Sequence, residues 1–297
     1  MRNSRTPFRG GSGTLLIGAG CLLMLAGCNK GGGEGNWLGN LMADLAPPTP
    51  TQAALDAFDV YDADKRRRAI ALLSAAPFGG EEPYLNLYRM ILGRESDGGM
   101  IAPDPDPTVR AVATRAVGMH GKVGDAELLV DMLDDNASFV RWEAAKGLQR
   151  VHNPVAIAAL IRATLHDEDV DVRMASAGAL GQYAQPNVFH ALVGALDDND
   201  YAVVRAAHAS LVTLTGHDEG DHTAAAWLEW AVQHRSDLFT DQQTYTYQPY
   251  VKPPGLVQKL KFWQDTPPPP RYKPTGLELA QSDDSQPVGQ EQATDMP

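Results

Sequence analysis

The fold is decided by a segment that occurs four times: DPTVRAVATRAVG at 106–118, NASFVRWEAAKGL at 136–148, DVDVRMASAGALG at 169–181 and NDYAVVRAAHASLV at 199–212. Each copy has Asp or Asn, a few further residues, then Val-Arg and a run of small residues. The arginines follow one another at intervals of 31, 32 and 32 residues, and they are Arg110, Arg141, Arg173 and Arg205. Such a period is the signature of stacked supersecondary units.

A second apolar series makes each unit a pair of helices. Leu133, Leu165 and Leu196 each close an apolar stretch just before an acidic turn. The helical periodicity predicts first helices at 123–133, 153–166 and 185–196, and second helices at 137–149, 170–182 and 200–214. Arg68 indicates a degenerate first unit, which the Gly-rich loop 95–106 separates from the others. Because neither helix of a pair buries its apolar stripe alone, the units must stack.

These segments resemble HEAT repeats, in particular the short bacterial HEAT-like repeats of about 30 residues. The resemblance covers about 104–214 well and 51–93 poorly. It implies an all-α HEAT-like solenoid of about five helix pairs at 51–216. In such repeats the acid of the turn commonly pairs with the arginine of the second helix. The implied pairs are Asp106 with Arg110, Asp135 with Arg141, Asp169 with Arg173 and Asp200 with Arg205.

The solenoid end carries its own signal. LTGHDEGDHTAAAWLEWAVQHR (214–235) is similar to the closing segment of many bacterial HEAT-repeat proteins, which implies a capping helix at 217–236. Asp221 or Thr223 would cap that helix, and its Trp227 and Trp230 would share one face and cover the last repeat.

Beyond the capping helix the composition changes. We expect an irregular segment with a short amphipathic helix at 237–263 and a disordered, Pro-rich acidic tail at 264–297. The short helix carries apolar residues on one face and lysines nearby: Leu256, Val257, Leu260 and Trp263, with Lys252, Lys259 and Lys261. It would pack against the solenoid, or contact lipid or a partner.

The N-terminus predicts a signal peptide at 1–27. A basic head precedes an apolar run at 14–26, which is too short to span a bilayer. Leu25-Ala26-Gly27-Cys28 resembles the lipobox of bacterial lipoproteins. The resemblance implies cleavage between Gly27 and Cys28, lipid on the Cys28 thiol, and a Gly/Pro-rich tether at 28–50.

The anchor implies a location. Two or three acyl chains hold a protein stably on a membrane. Asn29 stands where Asp would be the inner-membrane retention signal, so we expect a place in the bacterial envelope, at the outer membrane and facing the periplasm. Cys21, the other cysteine, would leave with the signal, which excludes cysteine catalysis.

The net charge of the chain limits the classes of partner that it can bind. The chain has 37 acidic and 25 basic side chains, a formal charge of −12, which argues against nucleic acid. Many of the acids lie in the turns, which stacking would align along one edge. They would cap helices, receive a basic partner, or bind calcium, although no EF-hand spacing is present. The candidate partner-binding acids are Asp134, Asp167, Glu168, Asp197 and Asp198.

The segment 217–222 contains several possible metal ligands. HDEGDH (217–222) matches no standard zinc spacing. Deoxyhypusine hydroxylases bind iron through His-Glu dipeptides on repeated helices, and no histidine of this chain is followed by Glu. We expect no catalytic residue, no metal and no cofactor.

The sequence therefore predicts a lipid-anchored, non-catalytic scaffold that binds an unidentified protein through its repeat surface. Two alternatives stay open. One is a metal- or ligand-binding accessory protein or enzyme with a site near 217–230 or in 95–106. The other is a structural envelope component that contacts lipid.

Overall fold

The computed structural model describes residues 49–94, 99–218, 223–248 and 271–277. The expected signal peptide, the lipidation site, the amphipathic segment 253–263 and the acidic end of the tail lie outside these residues. Within the described chain, no helix is long and apolar enough to cross a bilayer.

Eleven α-helices form most of the described chain. They are α1 Pro50–Asp56, α2 Ala63–Ala75, α3 Glu82–Ile91, α4 Pro107–His120, α5 Ala126–Met132, α6 Ser138–Leu148, α7 Ile157–His166, α8 Val170–Leu180, α9 Pro186–Ala195, α10 Tyr201–Thr215 and α11 Ala224–Gln233. Short 3₁₀ turns at Val123–Asp125 and Pro154–Ala156 lead into α5 and α7. The only β-type pairing among the described residues consists of three isolated bridges.

The helices pair and stack as a solenoid. Each odd-numbered helix from α1 to α9 packs against the helix that follows it, which gives five repeats, each with a first (A) and a second (B) helix. The B helices α2, α4, α6, α8 and α10 pack on one another in that order. The expectation of an all-α solenoid of about five helix pairs is confirmed.

Local sequence explains where the helices begin. Asp62, Asp106, Asp169 and Asp200 are the N-caps of α2, α4, α8 and α10, and their carboxylates accept backbone N–H groups of the first turn. A cap of this kind satisfies amide donors that have no partner inside the helix. The B helices therefore start at the acids of the turns.

One apolar position recurs in the core. Val109, Val140, Val172 and Val203 are fully buried, each three residues after the N-cap of its B helix. Because each valine lies at the same distance from the start of its helix, it faces the same direction in every repeat, which is into the stack. The Val-Arg motif thus places valine inside and arginine beside it.

Two B helices approach unusually closely. A Cβ added to Gly118 of α4 would lie 2.6 Å from the Cα of Gly147 in α6. Real Cβ atoms do not tolerate that distance, so position 118 needs glycine despite its low helix propensity, and a Cβ on Gly147 would lie a tight 3.2 Å from the Cα of Gly118.

The last repeat is covered by α11. Thr223 is the N-cap, with its side chain accepting from the amide of Ala226. Trp227 is 3% exposed and packs edge-on against Phe189 of α9, with 6.3 Å between ring centroids. This contact covers apolar surface of the fifth repeat that would otherwise be exposed to solvent.

Two later segments return to the solenoid. The amide of Gln243 donates to the carbonyl of Thr213, and the Tyr245 hydroxyl donates to the carbonyl of Gly178. Residues 271–277 pair with the third repeat, because the amide of Thr275 donates to the carbonyl of Arg150 at 2.8 Å. These residues belong to the tail expected at 264–297, and Leu277 among them is buried.

Candidate binding surfaces

An arginine and an aspartate join each repeat to the next. Arg110 of α4 reaches the turn of the following repeat, where its Nε and Nη2 donate to the two carboxylate oxygens of Asp135 at 2.7 and 2.9 Å. Its Nη1 donates to the carbonyl of Asp104 in its own turn at 2.9 Å. Such a two-pronged pair is the strongest geometry open to arginine and carboxylate.

The same arrangement occurs four times, and we call it the Arg–Asp ladder. Its pairs are Arg66–Asp104, Arg110–Asp135, Arg141–Asp167 and Arg173–Asp198, all with Nε–Oδ2 distances of 2.7 or 2.8 Å. These side chains are between 7% and 17% exposed. The ladder therefore lies largely out of water and holds the five repeats in register.

The pairing differs from the one the resemblance implied. Asp106, Asp169 and Asp200 cap their own B helices, while the carboxylate that binds arginine lies two residues before each of them. Asp135 does belong to the ladder, but it holds Arg110 of the preceding repeat and not Arg141. An arginine on one B helix is long enough to reach the next turn, which lies directly beside it in the stack.

Arg205 lies outside the ladder. In α10 the buried valine is Val203, so Val204 occupies the position that arginine holds in the other B helices. Arg205 is displaced one residue further around the helix, where it is exposed. The fifth repeat is followed by α11 and not by another turn, so no ladder aspartate would meet an arginine there. Similarly, Arg66 and not Arg68 starts the ladder.

Pairing within the ladder shifts the pKa of Arg110, Asp135 and Asp198. Hydrogen bonding to Asp135 raises the pKa of Arg110 despite the opposing effect of burial. Burial works to raise the pKa of Asp135, but the hydrogen bonds from Arg110 and from the amide of Ala137 outweigh it, so this pKa lies below the usual range. The pKa of Asp198 is lowered against burial in the same way, by Arg173 and the amide of Asp200.

The ladder also occupies much of the acidic edge. Of the candidate partner-binding acids, Asp167 and Asp198 are 8% and 13% exposed and bind arginines. Asp134 forms an ion pair with Arg162 at 2.6 Å. Glu168 is 85% exposed and forms an ion pair with Arg141 at 3.3 Å, whereas Asp197 is exposed. Four of the five acids therefore have an arginine partner.

The histidines near the solenoid end pack as aromatic groups. Trp230 lies between the rings of His217 and His234, stacked with centroid distances of 4.4 and 4.5 Å. His234 also makes a hydrogen bond to the carbonyl of Trp230. Residues 219–222 lie outside the described chain. Within it, no group of three or more His, Cys, Asp or Glu is placed to hold a metal ion.

The first repeat has an apolar cavity of about 380 Å³. Phe58, Val60, Met90 and Ile101 contribute to its walls. Phe58 and Val60 are 51% and 78% exposed, so this cavity is open to solvent.

The outer side of the B helices forms a second surface, which we call the B-helix face. At the third repeat it consists of Phe139, Trp142 and Lys146 of α6 and of Arg150, two residues after the end of α6; we call these four residues the α6 stripe. Phe139 is 43% exposed, and the Nε1 atom of Trp142 is buried and has no hydrogen-bond partner among the described residues. Trp142 is partly buried and packs against the hydrophobic core, whereas Phe139 lies on the surface.

The two positive charges at the C-terminal end of this stripe have no carboxylate partner among the described residues. Lys146 donates to Oε1 of Gln149 at 3.0 Å, and the Arg150 guanidinium lies 5.7 Å from the ring centroid of Tyr247. Within the described chain neither forms an ion pair, since the nearby Glu143 is bound by Arg115. Burial, together with repulsion from Arg150, lowers the pKa of Lys146, and burial also lowers that of Arg150.

Sequence reasoning missed this stripe. Repeat patterns emphasise positions that every copy shares, whereas the B-helix face is built from positions at which the copies differ. The equivalents of Trp142 are Ala111 in α4, Met174 in α8 and Arg205 in α10. The signal available in the sequence was the tryptophan of α6, since α4, α8 and α10 have no aromatic residue at this position.

Residues 139–212 match the sequence profile of HEAT repeats. No curated protein matches the chain. Two designed armadillo repeat proteins are among the solved structures that match, at 15% and 16% identity with TM-scores of 0.44 and 0.43, the second of them in complex with the peptide (KR)4. The matches cover 65% and 62% of this chain, and 96% and 88% of the designed chains. The family match covers 74 of the 297 residues, and the helix pairing shows that the described helices stack as an α-solenoid.

Proposed function

We propose that this protein is a non-catalytic scaffold, which a lipid on Cys28 anchors in the bacterial envelope and whose B-helix face binds another protein. The observation that carries the binding role is the stripe on α6. An exposed Phe139 and two cations without ion pairs among the described residues contribute nothing evident to the core. Exposed aromatic and cationic side chains on a rigid element are typical of binding surfaces.

The acidic edge supports a structural and not a catalytic role. General acid–base chemistry needs carboxylates that are free to exchange protons in a cleft. In this protein, Asp104, Asp135, Asp167 and Asp198 are held by arginines, and Asp106, Asp169 and Asp200 by backbone amides. Repeat stacking therefore accounts for most of the aligned acids.

The proposed anchor rests on the sequence alone. Leu25-Ala26-Gly27-Cys28 follows a basic head and a short apolar run, which is the arrangement of a lipoprotein signal. The tether 28–50 would keep the solenoid close to the membrane, at roughly 25 Å for a flexible coil of this length. The outer membrane, facing the periplasm, is the location we propose.

Site-specific photocrosslinking in cells tests the scaffold. A photoreactive residue would replace Phe139 on the B-helix face, Glu168 on the acidic edge, or Val155, which is 46% exposed in the 3₁₀ turn that leads into α7. We expect one abundant protein to crosslink from position 139 and not from position 155. A partner captured from position 168 alone would move the site to the acidic edge.

Failure to crosslink any protein from all three positions would contradict the scaffold. It would favour the alternatives, a ligand-binding accessory protein or a structural component that contacts lipid. Metal content of the purified chain and salt-sensitive binding of its non-lipidated form to anionic liposomes then distinguish these two.

A further inference from the structure

The α6 stripe is chemically divided along its length. Its N-terminal half presents Phe139 and Trp142, and its C-terminal half presents Lys146 and Arg150. A small cleft of about 170 Å³ lies at the aromatic end, where Asp169 and Asp171 of the next repeat join the two aromatics. The aromatic end is therefore bordered by acids, and the other end is cationic.

The cationic end is an exception in an acidic molecule. The whole chain carries a formal charge of −12, yet Arg115, Lys146 and Arg150 lie together with Glu143 as the acid beside them. Two other surface arginines, Arg94 and Arg162, do meet carboxylates, those of Asp131 and Asp134. A half-buried cation without a counterion costs desolvation free energy that a bound anion would recover.

The surroundings hold the two cations in place. Gln149 accepts from Lys146 and donates through Nε2 to the carbonyl of Ala175 in α8 at 2.9 Å. Tyr247 lies under the Arg150 guanidinium, and its segment is fixed by the antiparallel bridge to Tyr272. Side chains that are already positioned lose less freedom when a ligand binds.

We propose that this stripe binds an acidic peptide segment of the partner protein, with paired carboxylates at Lys146 and Arg150 and an apolar side chain at Phe139. This inference rests on the proposed function and names the chemistry of its partner. Phe139 and Lys146 are two helical turns apart, about 10 Å along the axis. An extended peptide covers that distance in about three residues.

The acids at the other end set the orientation. Asp171 is exposed beside Phe139, and Asp169 is held by the first-turn amides of α8. Carboxylates of a ligand would be repelled there and attracted to Lys146 and Arg150. The ligand therefore binds in one direction, with its acidic residues beside Tyr247.

The test measures fluorescence anisotropy of a labelled peptide with one Leu three residues before a Glu-Glu pair, in a Gly-Ser background. The full chain without its lipid is titrated into this probe at low and high salt. We expect salt-sensitive binding that Lys146→Gln/Arg150→Gln weakens at least about tenfold, since two charge-assisted contacts are lost. The same probe with Gln-Gln should bind as weakly.

A matched double variant controls for net charge. Arg94→Gln/Arg162→Gln removes two arginines that pair with Asp131 and Asp134 on the A-helix side. It should leave probe binding unchanged. Equal losses in the two double variants, or equal binding of the Glu and Gln probes, would overturn the assignment. Lys146→Arg should retain binding, which separates loss of charge from damage to the fold.

One competing occupant belongs to the chain itself. Residues 278–297 contain five acids and no Lys or Arg, and they begin three residues after Thr275, which hydrogen-bonds to Arg150. The control is a full-length variant in which these five acids are replaced by Asn or Gln. Probe binding that appears only in this variant would assign the stripe to the chain's own tail and overturn the partner assignment.

The outcomes separate the two proposals. If the protein crosslinked from position 139 is retained equally by Lys146→Gln/Arg150→Gln, the scaffold stands and the acidic-segment assignment falls. If no protein is crosslinked from any of the three positions, the scaffold itself falls.

Discussion

Arg141 and Asp167 lie in successive repeats, yet the guanidinium of one meets the carboxylate of the other through two hydrogen bonds of 2.8 and 2.9 Å. The two side chains are 10% and 8% exposed. The same arginine donates to the carbonyl of Asp135 in its own turn at 3.0 Å. One side chain therefore fixes both the turn within a repeat and the contact between repeats.

Removal of this arginine should destabilise the stack. In Arg141→Ala the carboxylate of Asp167 stays largely buried without its partner, so we expect the free energy of unfolding to fall by about 2–4 kcal/mol. Urea denaturation followed by circular dichroism measures the loss. Arg205→Ala is the control, since that arginine is exposed and outside the ladder, and it should change stability by less than about 0.5 kcal/mol. Equal effects would contradict the ladder register.

The ladder should also respond to acid. Because the folded-state pKa of Asp135 lies below its unfolded value, its charge stabilises the fold above the unfolded pKa and stops doing so as the pH falls through the folded pKa. We expect the stability difference between wild type and Asp135→Asn to be constant above about pH 5 and to shrink below about pH 4. Urea midpoints at several pH values measure this difference. A difference that stays unchanged down to about pH 2 would be inconsistent with the lowered pKa.

The close approach of α4 and α6 predicts a steric effect. Gly118→Ala places a methyl group against the backbone of Gly147, so it should destabilise the protein by about 1–3 kcal/mol, although alanine favours helices. Thermal unfolding measures the change. Gly124→Ala is the matched control, since a Cβ there has no neighbour within 4 Å. A more stable Gly118→Ala variant would show that the two helices separate without cost.

The solenoid end depends on one indole. Trp227→Ala should cost about 3–5 kcal/mol, because this 3%-exposed side chain fills the contact between α11 and α9. Leu228→Ala, at a neighbouring position that is 44% exposed, should cost less than about 1 kcal/mol. Hydrogen exchange should show the loss first in α9 to α11. Unchanged protection in Trp227→Ala would remove the capping role.

The anchor has its own test. Cys28→Ser removes the thiol that would carry the lipid, so we expect a chain that is not lipidated and not cleaved by the lipoprotein peptidase. Metabolic labelling with a palmitate analogue and mass spectrometry of the N-terminus measure both. Cys21→Ser is the control and should change neither. A Cys28→Ser chain that is cleaved at the same bond and stays on the membrane would exclude the lipobox.

Much of the fold could be predicted from periodicity. The second helices expected at 137–149 and 170–182 correspond to Ser138–Leu148 and Val170–Leu180. This accuracy has a physical reason, since the buried valine recurs at a fixed position in each copy and a capping acid recurs in all but α6. The start of each second helix is therefore determined by residues close to it in the chain, and a single sequence is enough to predict it.

The ladder partners could not be predicted in the same way. The turns before α4, α8 and α10 each have two carboxylates two residues apart, and pattern alone does not tell which one caps a helix and which one binds arginine. The nearest acid in sequence to Arg173 is Asp171, whereas its partner Asp198 is 25 residues away. The displacement of Arg205 could not be predicted either. Val204-Arg205 matches the Val-Arg motif, but the valine that is fully buried in α10 is Val203.

Each ladder pair belongs to two neighbouring repeats, one supplying arginine and the next supplying aspartate. A gene rearrangement that duplicates or removes a whole internal repeat therefore leaves every remaining arginine opposite an aspartate. The number of internal repeats is free to change during evolution without creating a buried unpaired charge. Val204 ends that freedom at the fifth repeat, because a sixth copy added behind it would bring an aspartate that no arginine meets.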